Sequence, residues 1–403
     1  MKYIIVLGDG MGDYPLPELN GKTPLQKANK PTMDFLASWG FVGKAQTIPE
    51  GFPPGSDIAN LSVMGYNPSE SYTGRSPLEA ASIGVDMGEN DVSFRCNLVT
   101  LSDHSPYSAK RMIDYCSDEI TTEEAEELVE ELNKYLSTEE ISFYRGVSYR
   151  HLMLWREGPS KWELTPPHDI LGEVINDYLP RGENENKLYK IMENSYQILN
   201  THMVNVNRAS KGLKPANSAW IWGDGKKPFF VPFKEKYGVK GAVISAVDLI
   251  KGIGYLAEMD VLEVEGATGN INTNYTGKAM AAINSLKEGK DFVYIHVEAP
   301  DECGHRYEIE NKVKAIENID ALIIKPIKEK LDSDGEEYKI MVLPDHYTPL
   351  SLRTHTRDAV PFAIYNSNNS HSGDGKRFDE EYAQKTGLYF EEGYQLMDYF
   401  LTT

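Results

Sequence analysis

Short apolar runs alternate with longer amphipathic stretches in the first and last parts of the chain. Four runs are rich in β-branched residues and end in turns that contain Gly, Asp or Pro, so they are predicted to be buried strands: 3–7, 292–297, 339–343 and 361–365. Three stretches between them are predicted to be helices: 23–39, 277–286 and 312–330, the last with Asn311 as a possible N-cap. This alternation predicts an α/β fold with a mainly parallel sheet flanked by helices.

The middle of the chain follows a different pattern. From about residue 103 to residue 239 the alternation weakens, and an acidic helix is predicted over 122–136 among scattered aromatic and basic residues. The full length of 403 residues is two to three times that of a usual domain. We therefore predict a smaller α+β domain over residues 77–239, inserted into a first domain that is formed by residues 1–76 and 240–403.

Charge and composition narrow the partners that the chain is expected to bind. The sequence has 61 acidic and 41 basic residues, which gives a net charge of −20 and repels nucleic acid and anionic membranes. No apolar run approaches the roughly 20 residues that cross a bilayer, and the first run is too short for a signal peptide. Cys96, Cys116 and Cys303 lack the spacing of a disulfide framework or a metal site, which favours a reducing compartment and hence the cytoplasm. We expect a small-molecule partner, without nucleic acid or membrane, and nothing in the sequence implies a protein partner.

Acidic and histidine side chains follow or precede the predicted strands. Ligands of open α/β sheets bind beyond the carboxyl ends of the strands, so these side chains are expected to converge at one edge. They are Asp9, Asp301, His305, Asp345, His346 and His355. Carboxylates and imidazoles suit Mn²⁺, Zn²⁺ and Mg²⁺, and six such groups are more than one ion needs, so the set predicts two metals. Taken singly, each Asp has an alternative as a turn former or N-cap, and each His as a structural imidazole.

The spacing within this set adds two geometric expectations. Asp301 and His305 are four residues apart, so they would share one face of a helical turn. Asp345 and His346 are adjacent and are expected to point apart, toward two neighbouring metals.

Ser56 is the candidate nucleophile. Gly55 allows a tight turn, and Ser56 would begin a helix that runs to residue 64, where backbone N–H groups and the helix dipole favour an anion. The alternative is that Ser56 is a plain helix N-cap. A serine without a neighbouring histidine base can attack when a metal activates it, which links Ser56 to the metal set.

Beyond these residues, a long ordered series of motifs resembles the cofactor-independent phosphoglycerate mutases of the archaeal type, in the alkaline phosphatase superfamily. The motifs are residues 55–57, 65–66, 72–75, 94–97, 147–151, 215–217, 220–225, 245–252, 266–269 and 355–361. The resemblance implies an alkaline-phosphatase-like α/β domain, interrupted by a smaller phosphotransferase domain that binds the substrate.

The same resemblance implies the ligand sets and the reaction. One metal would be held by Asp301, His305 and His355, and a second by Asp9, Ser56, Asp345 and His346. Two divalent ions are expected, with Mn²⁺ first and Mg²⁺, Zn²⁺ or Co²⁺ as alternatives. Ser56 would take the phosphoryl group of 3-phosphoglycerate and return it to the 2-hydroxyl, without bisphosphoglycerate, as a step of glycolysis.

Substrate contacts are expected from basic and polar side chains, because arginine matches carboxylate and phosphate oxygens in pairs. The candidates are Arg150, His151, His168 and Arg208 in the inserted domain, together with Arg75, Arg95 and Lys251. Each has the alternative of a surface ion pair in an acidic protein.

Other readings of the sequence remain open. A homoserine kinase of the same branch would share the metal motifs, although the chain has no Gly-x-x-x-x-Gly-Lys-Ser/Thr loop. A simple phosphatase or a phosphopentomutase is a third enzyme reading. A metal-binding regulatory protein that has lost catalysis would show a degenerate site, and here every expected ligand and the serine are present.

Overall fold

The computed structural model of the protein describes residues 1–368 and 375–403, which form two compact units. The first unit is Met1–Tyr72 with Phe229–Thr403, and the second is Thr73–Pro228. The strands are β1 (Lys2–Gly8), β2 (Phe41–Ala45), β3 (Val92–Leu101), β4 (Met112–Asp114), β5 (Ile141–Val147), β6 (Arg150–Trp155), β7 (Trp162–Glu163), β8 (Arg181–Gly182), β9 (Ser218–Lys226), β10 (Gly241–Ile244), β11 (Asp260–Val261), β12 (Phe292–Val297), β13 (Tyr338–Leu343), β14 (Val360–Asn366) and β15 (Tyr389–Phe390). The helices are α1 (Pro24–Lys27), α2 (Pro31–Ser38), α3 (Ser56–Val63), α4 (Pro68–Ser71), α5 (Ser76–Ser82), α6 (Thr122–Leu136), α7 (Glu185–Leu199), α8 (Met203–Ser210), α9 (Phe233–Tyr237), α10 (Asp248–Leu256), α11 (Tyr275–Lys287), α12 (Ala299–His305), α13 (Ile309–Ile319), α14 (Lys325–Asp334), α15 (Glu380–Thr386) and α16 (Gln395–Thr402).

The first unit is built on an eight-stranded sheet of order β11-β10-β12-β1-β13-β14-β2-β15. The central strands β10, β12, β1 and β13 are parallel, whereas β14 runs antiparallel to β13 and β2. The four predicted strands are present, each within one residue of the predicted bounds. The predicted α/β class, with a mainly parallel sheet flanked by helices, is confirmed.

Burial on both faces explains why the strands of this sheet are almost uniformly apolar. β12 and β13 are buried along their whole length, and helices such as α11 and α13 pack on the sheet in one large apolar core. Among the helices of the described residues, none combines the length and the apolar character that a bilayer crossing needs.

Two helix predictions need correction. The stretch 23–39 forms two short helices, because the residue before Pro31 is disfavoured in the helical conformation; Lys30 has φ −131° and ψ 60°. The stretch 312–330 begins earlier, with Glu308 as the N-cap, so Asn311 lies inside the first turn. A π-helical segment, Asp320–Ile324, then joins α13 to α14, and the Asp320 carboxylate accepts hydrogen bonds from the amides of Thr32 and Met33.

The second unit is an α+β structure with a five-stranded antiparallel sheet of order β4-β3-β6-β5, in which β9 also pairs with β3. Helices α6 and α7 cover one face, where their apolar residues form a second core with the strands. The acidic helix predicted over 122–136 is present with those bounds and is capped by the Thr121 side chain. Helix α5 covers part of the opposite face through Ala80, Leu152 and Leu154. The second unit runs from residue 73 to residue 228, whereas the inserted domain was predicted over residues 77–239.

Candidate metal centre

Six acidic and histidine side chains meet at one edge of the first unit's sheet. Asp9 follows β1, α12 begins directly after β12, and Asp345 and His346 follow β13. Because β14 runs antiparallel, the segment before it reaches the same edge and brings His355 there. This group of Asp9, Asp301, His305, Asp345, His346 and His355 is called the ligand edge below.

One half of the ligand edge is formed by Asp301, His305 and His355. The Nε2 atoms of His305 and His355 lie 3.2 and 3.3 Å from the two carboxylate oxygens of Asp301, and 2.9 Å from each other. The predicted sharing of one helical face by Asp301 and His305 is confirmed, since both are on α12. The hydrogen bond with Asp301 raises the pKa of His305 to about 9. Burial raises the pKa of Asp301, but the hydrogen bonds with the two histidines outweigh it and hold that pKa well below its usual range.

The other half contains Asp9, Asp345 and His346, all of which are buried. His346 Nε2 lies 3.4 Å from Asp9 Oδ1 and 3.5 Å from Asp345 Oδ2. The expectation that Asp345 and His346 point apart is therefore wrong, because both side chains turn toward Asp9. The His346 ring also contacts the His355 ring, with ring centroids 4.0 Å apart, so it lies between the two halves.

These residues fit a divalent cation. Asp9 Oδ1 is buried and has no hydrogen-bond partner within residues 1–368 and 375–403, a costly state for a carboxylate oxygen. Burial, and then the charge of Asp345, raise the pKa of Asp9 well above its usual range. A cation between these carboxylates would satisfy the orphaned oxygen and offset the like charges.

Ser56 begins α3 beside the ligand edge. Its Oγ lies 3.1 Å from His346 Nε2 and 3.5 Å from Asp9 Oδ2. Gly55 is the N-cap of α3, and Ser56 makes no capping hydrogen bond with its side chain, so the alternative of a plain N-cap does not describe it. Its hydroxyl is directed at the metal-ligand candidates.

Three further residues at this edge were not singled out in the sequence. Asn60 Nδ2 donates to Ser56 O at 2.8 Å and to Asp345 Oδ2 at 2.9 Å. Thr348 donates its hydroxyl to Asp301, and His296 Nε2 lies 2.9 Å from Asp9 Oδ2. Asn60 lies one helical turn after Ser56, which is a usable signal. His296 is a polar residue inside an apolar strand, whereas Thr348 carries no signal of this kind.

Basic side chains gather on the second unit's sheet, on the face that α5 covers in part. Arg75 Nε and Arg95 Nε each lie 3.0 Å from the Glu79 carboxylate, and Arg95 stacks over Trp222 with its Cζ 4.2 Å from the ring centroid. The register of β3 and β6 puts Arg150 on the same face as Arg95, and the His168 ring meets Trp222 edge-on. Arg75, Arg95, Arg150 and His168 are called the arginine face below. The predicted bounds leave Arg75 outside the inserted domain, whereas the structure puts both Arg75 and Arg95 in the second unit.

The remaining substrate candidates have other surroundings. His151 alternates with Arg150 along β6 and faces the core; its Nδ1 accepts from Gly146 N, and burial lowers its pKa to about 4. Arg208 is buried, and its guanidinium donates to Glu124, to Ser117 O and to Lys214 O. Lys251 lies on α10 and pairs with Glu263 at 2.8 Å. Within the second unit, neither His151 nor Arg208 lies on the arginine face.

Comparisons with known proteins identify the family. A family profile described as 2,3-bisphosphoglycerate-independent phosphoglycerate mutase matches residues 37–205. A probable enzyme of that name from Geobacter sulfurreducens is 51% identical over 401 residues, which covers 100% of both chains. The enzyme of Methanosarcina barkeri is 50% identical over 389 residues, or 96% of each chain. A solved structure from Pyrococcus horikoshii is 31% identical with a TM-score of 0.83, and covers 99% of this chain and 96% of its own.

The cofactor-independent phosphoglycerate mutase of Thermoplasma acidophilum also shares the fold over both full lengths. Its structure is 27% identical with a TM-score of 0.69, and the match covers 100% of this chain and 99% of that one. The identity to curated relatives, over the whole length of this chain, decides the assignment. The chain belongs to the family of 2,3-bisphosphoglycerate-independent phosphoglycerate mutases.

Proposed function

We propose that the protein interconverts 3-phosphoglycerate and 2-phosphoglycerate through a phosphoserine at Ser56, in a site that binds two divalent metal ions. The observation that carries the proposal is the position of the Ser56 hydroxyl at the start of α3. It makes no helix-capping hydrogen bond and lies 3.1 Å from His346 Nε2 and 3.5 Å from Asp9 Oδ2. The named relatives carry the mutase description, so the homoserine kinase alternative draws no support from them.

The proposed ligands are Asp301, His305 and His355 for one ion, and Asp9, Ser56, Asp345 and His346 for the other. His346 is assigned to the second set because its Nε2 lies within 3.5 Å of Ser56 Oγ, Asp9 Oδ1 and Asp345 Oδ2. When bound, such ions supply Lewis acidity that offsets the charge of phosphoryl oxygens and eases deprotonation of a hydroxyl. Mn²⁺ is the ion we expect to be effective.

The chain's own residues would act as follows. Ser56 Oγ attacks phosphorus, and the bond from phosphorus to the 3-oxygen breaks. The hydroxyl proton of Ser56 is transferred to the 3-oxygen, which leaves phosphoserine and glycerate. The reverse transfer at the 2-oxygen completes the isomerisation and frees Ser56. The N-terminal end of α3 favours the phosphorylated serine, an effect of about 0.3–1 kcal/mol.

The arginine face is proposed to bind the carboxylate and phosphate of the substrate. Support comes from the closeness of three guanidinium groups: burial and the charges of Arg75 and Arg150 lower the pKa of Arg95, although Glu79 opposes them. Arg208 is left out of this set because its guanidinium is already used by internal acceptors. His151 and Lys251 are left out because one faces the core and the other is paired with Glu263. We expect the reaction to serve glycolysis in the cytoplasm.

A substrate comparison tests the proposal. Purified protein with Mn²⁺ is assayed once with 3-phosphoglycerate alone and once with homoserine plus ATP, with 2-phosphoglycerate and phosphohomoserine as the measured products. We expect 2-phosphoglycerate in the first assay and no product in the second. Phosphohomoserine without isomerisation would overturn the proposed substrate and leave the phosphoserine chemistry in place.

A further inference from the structure

His296 connects three neighbouring strands at the ligand edge. It lies in β12, which runs between β10 and β1 in the sheet. Its Nε2 is 2.9 Å from Asp9 Oδ2, after β1, and its Nδ1 is 3.2 Å from Ser245 Oγ, after β10. Its backbone carbonyl accepts a hydrogen bond from Lys278 Nζ at 2.7 Å. All four residues are buried, so these contacts are shielded from water.

The partners of the two ring nitrogens assign the proton of the imidazole. Nε2 faces a carboxylate oxygen of Asp9, which accepts hydrogen bonds, so Nε2 carries the ring proton and donates it to Asp9 Oδ2. Nδ1 of the neutral ring is then an acceptor, and it receives the hydroxyl proton of Ser245, whose oxygen in turn accepts from Val247 N at 3.0 Å. The chain of hydrogen bonds therefore runs in one direction, from Ser245 through His296 to Asp9.

These hydrogen bonds fix the direction of the other carboxylate oxygen of Asp9, Oδ1. Oδ2 is engaged by His296, whereas Oδ1 has no hydrogen-bond partner in the described part of the chain and lies 3.4 Å from His346 Nε2. A carboxylate fixed through one oxygen presents the other in a single direction. Hydrogen bonds of this kind orient metal ligands, and their loss commonly costs about 10- to 100-fold in metal affinity.

We propose that His296 is a positioning residue, which fixes Asp9 through Oδ2 so that Oδ1 points at the metal position shared with Asp345 and His346. Ser245 supports the required tautomer by donating its hydroxyl proton to Nδ1. The inference rests on the proposed function for the second metal, and it adds two residues that do not touch the ion or the substrate.

Matched substitutions separate positioning from packing. His296→Gln keeps an amide donor near the place of Nε2, whereas His296→Asn is shorter and loses it. Ser245→Ala removes the hydroxyl that donates to Nδ1 and supports this tautomer. Ser285→Ala is the control, because Ser285 is a buried serine of the same unit whose Oγ has no partner among the described residues.

The test is a calorimetric titration of metal-free, full-length protein with Mn²⁺, together with melting temperatures in chelator. Wild type is expected to bind two equivalents. His296→Asn should weaken one of them by about 10- to 100-fold and leave the other unchanged, and Ser245→Ala should weaken the same one by about 3- to 10-fold. His296→Gln should stay within about threefold of wild type, and Ser285→Ala should match it.

Two results would overturn the inference: unchanged affinities in His296→Asn and Ser245→Ala, or a loss in His296→Gln as large as in His296→Asn. If His296→Asn fails to fold, Ser245→Ala still decides the matter. Wild-type protein that binds fewer than two equivalents would instead contradict the proposed function, so the two failures are distinguishable.

Discussion

The ligand edge of the first unit and the arginine face of the second unit are organised in different ways. At the edge, each candidate ligand atom lies within about 3.5 Å of a neighbouring one, and most of the side chains are buried. On the arginine face, Arg75 and His168 are about half exposed, and the cations are held by one shared carboxylate and by aromatic rings. The ligand edge fixes the positions of its side chains closely, whereas the arginine face supplies positive charge without fixing each side chain as closely. Single substitutions at the ligand edge should therefore nearly abolish activity, whereas those on the arginine face should lower it in part.

The largest expected effect is loss of the nucleophile. Ser56→Ala should lower kcat by about 10⁴-fold or more, because no other group replaces the Ser56 oxygen. Ser62→Ala is the matched control, since Ser62 is buried on the same helix and its Oγ has no partner within the described residues. Its turnover should equal that of wild type. Turnover by Ser56→Ala above one hundredth of the wild-type rate would refute the serine mechanism.

Loss of one metal ligand should come next. Asp301→Asn keeps the shape but removes the charge that faces His305 and His355, so it should lower activity by about 10³-fold and reduce the Mn²⁺ bound per chain. Asp320→Asn is the control, because Asp320 is a buried carboxylate of the same unit that accepts from the Thr32 and Met33 amides. It should lower stability without changing metal content. Chelation of wild type should abolish activity, and Mn²⁺ should restore it; activity that survives chelation would contradict the metal site.

The arginine face should respond by degrees. Arg95→Lys keeps the positive charge but loses the fork that matches an anion, so KM for 3-phosphoglycerate should rise by about 10-fold with a smaller change in kcat. Arg145→Lys is the control, because Arg145 is an exposed residue of the same sheet that pairs with Glu126. Equal KM values for the two variants would remove Arg95 from the substrate set.

The smallest effect concerns a buried carboxyl away from the ligand edge. Glu380 accepts from Asp13 N at 3.2 Å and from Thr23 Oγ1 at 2.8 Å, and burial raises its pKa to about 7 from an ordinary 4.5. Between about pH 4.5 and pH 7 the folded protein holds a proton on Glu380 that the unfolded chain has released. The free energy of unfolding therefore falls as the pH rises through this range. Glu380→Gln should gain about 2–3 kcal/mol relative to wild type between pH 5 and pH 8 in denaturant unfolding. A difference that does not change with pH would contradict the raised pKa.

The contrast between the two regions also explains what the sequence could predict. Parallel strands end at one edge of a sheet, so the positions of Asp9, Asp301 and Asp345 after apolar runs were enough to expect them together. The pattern does not show how adjacent side chains turn, which is why the expectation for Asp345 and His346 was wrong. The pattern shows His296 as a polar residue in an apolar strand, but it does not show which side chains the imidazole contacts.

On the second unit, sequence alone could not separate the arginines by their surroundings. Arg95 and Arg208 are both candidate substrate residues of the second unit, yet one stacks on Trp222 and the other is buried against Glu124. Which acceptor a guanidinium meets depends on the packing of α6 and β9, elements distant in the sequence. For the same reason the alternation that turns His151 away from Arg150 needed the register of β6 to be known.

The most direct measurement is a search for phosphate on Ser56. Full-length wild-type protein with Mn²⁺ is mixed with 3-phosphoglycerate, quenched in acid within milliseconds to seconds, digested and analysed by mass spectrometry, with Ser62→Ala and Ser56→Ala treated in parallel. The account predicts phosphate on Ser56 in wild type and in Ser62→Ala, and on no residue in Ser56→Ala. Phosphate on a histidine, or isomerisation at full rate without any phosphorylated peptide, would contradict it.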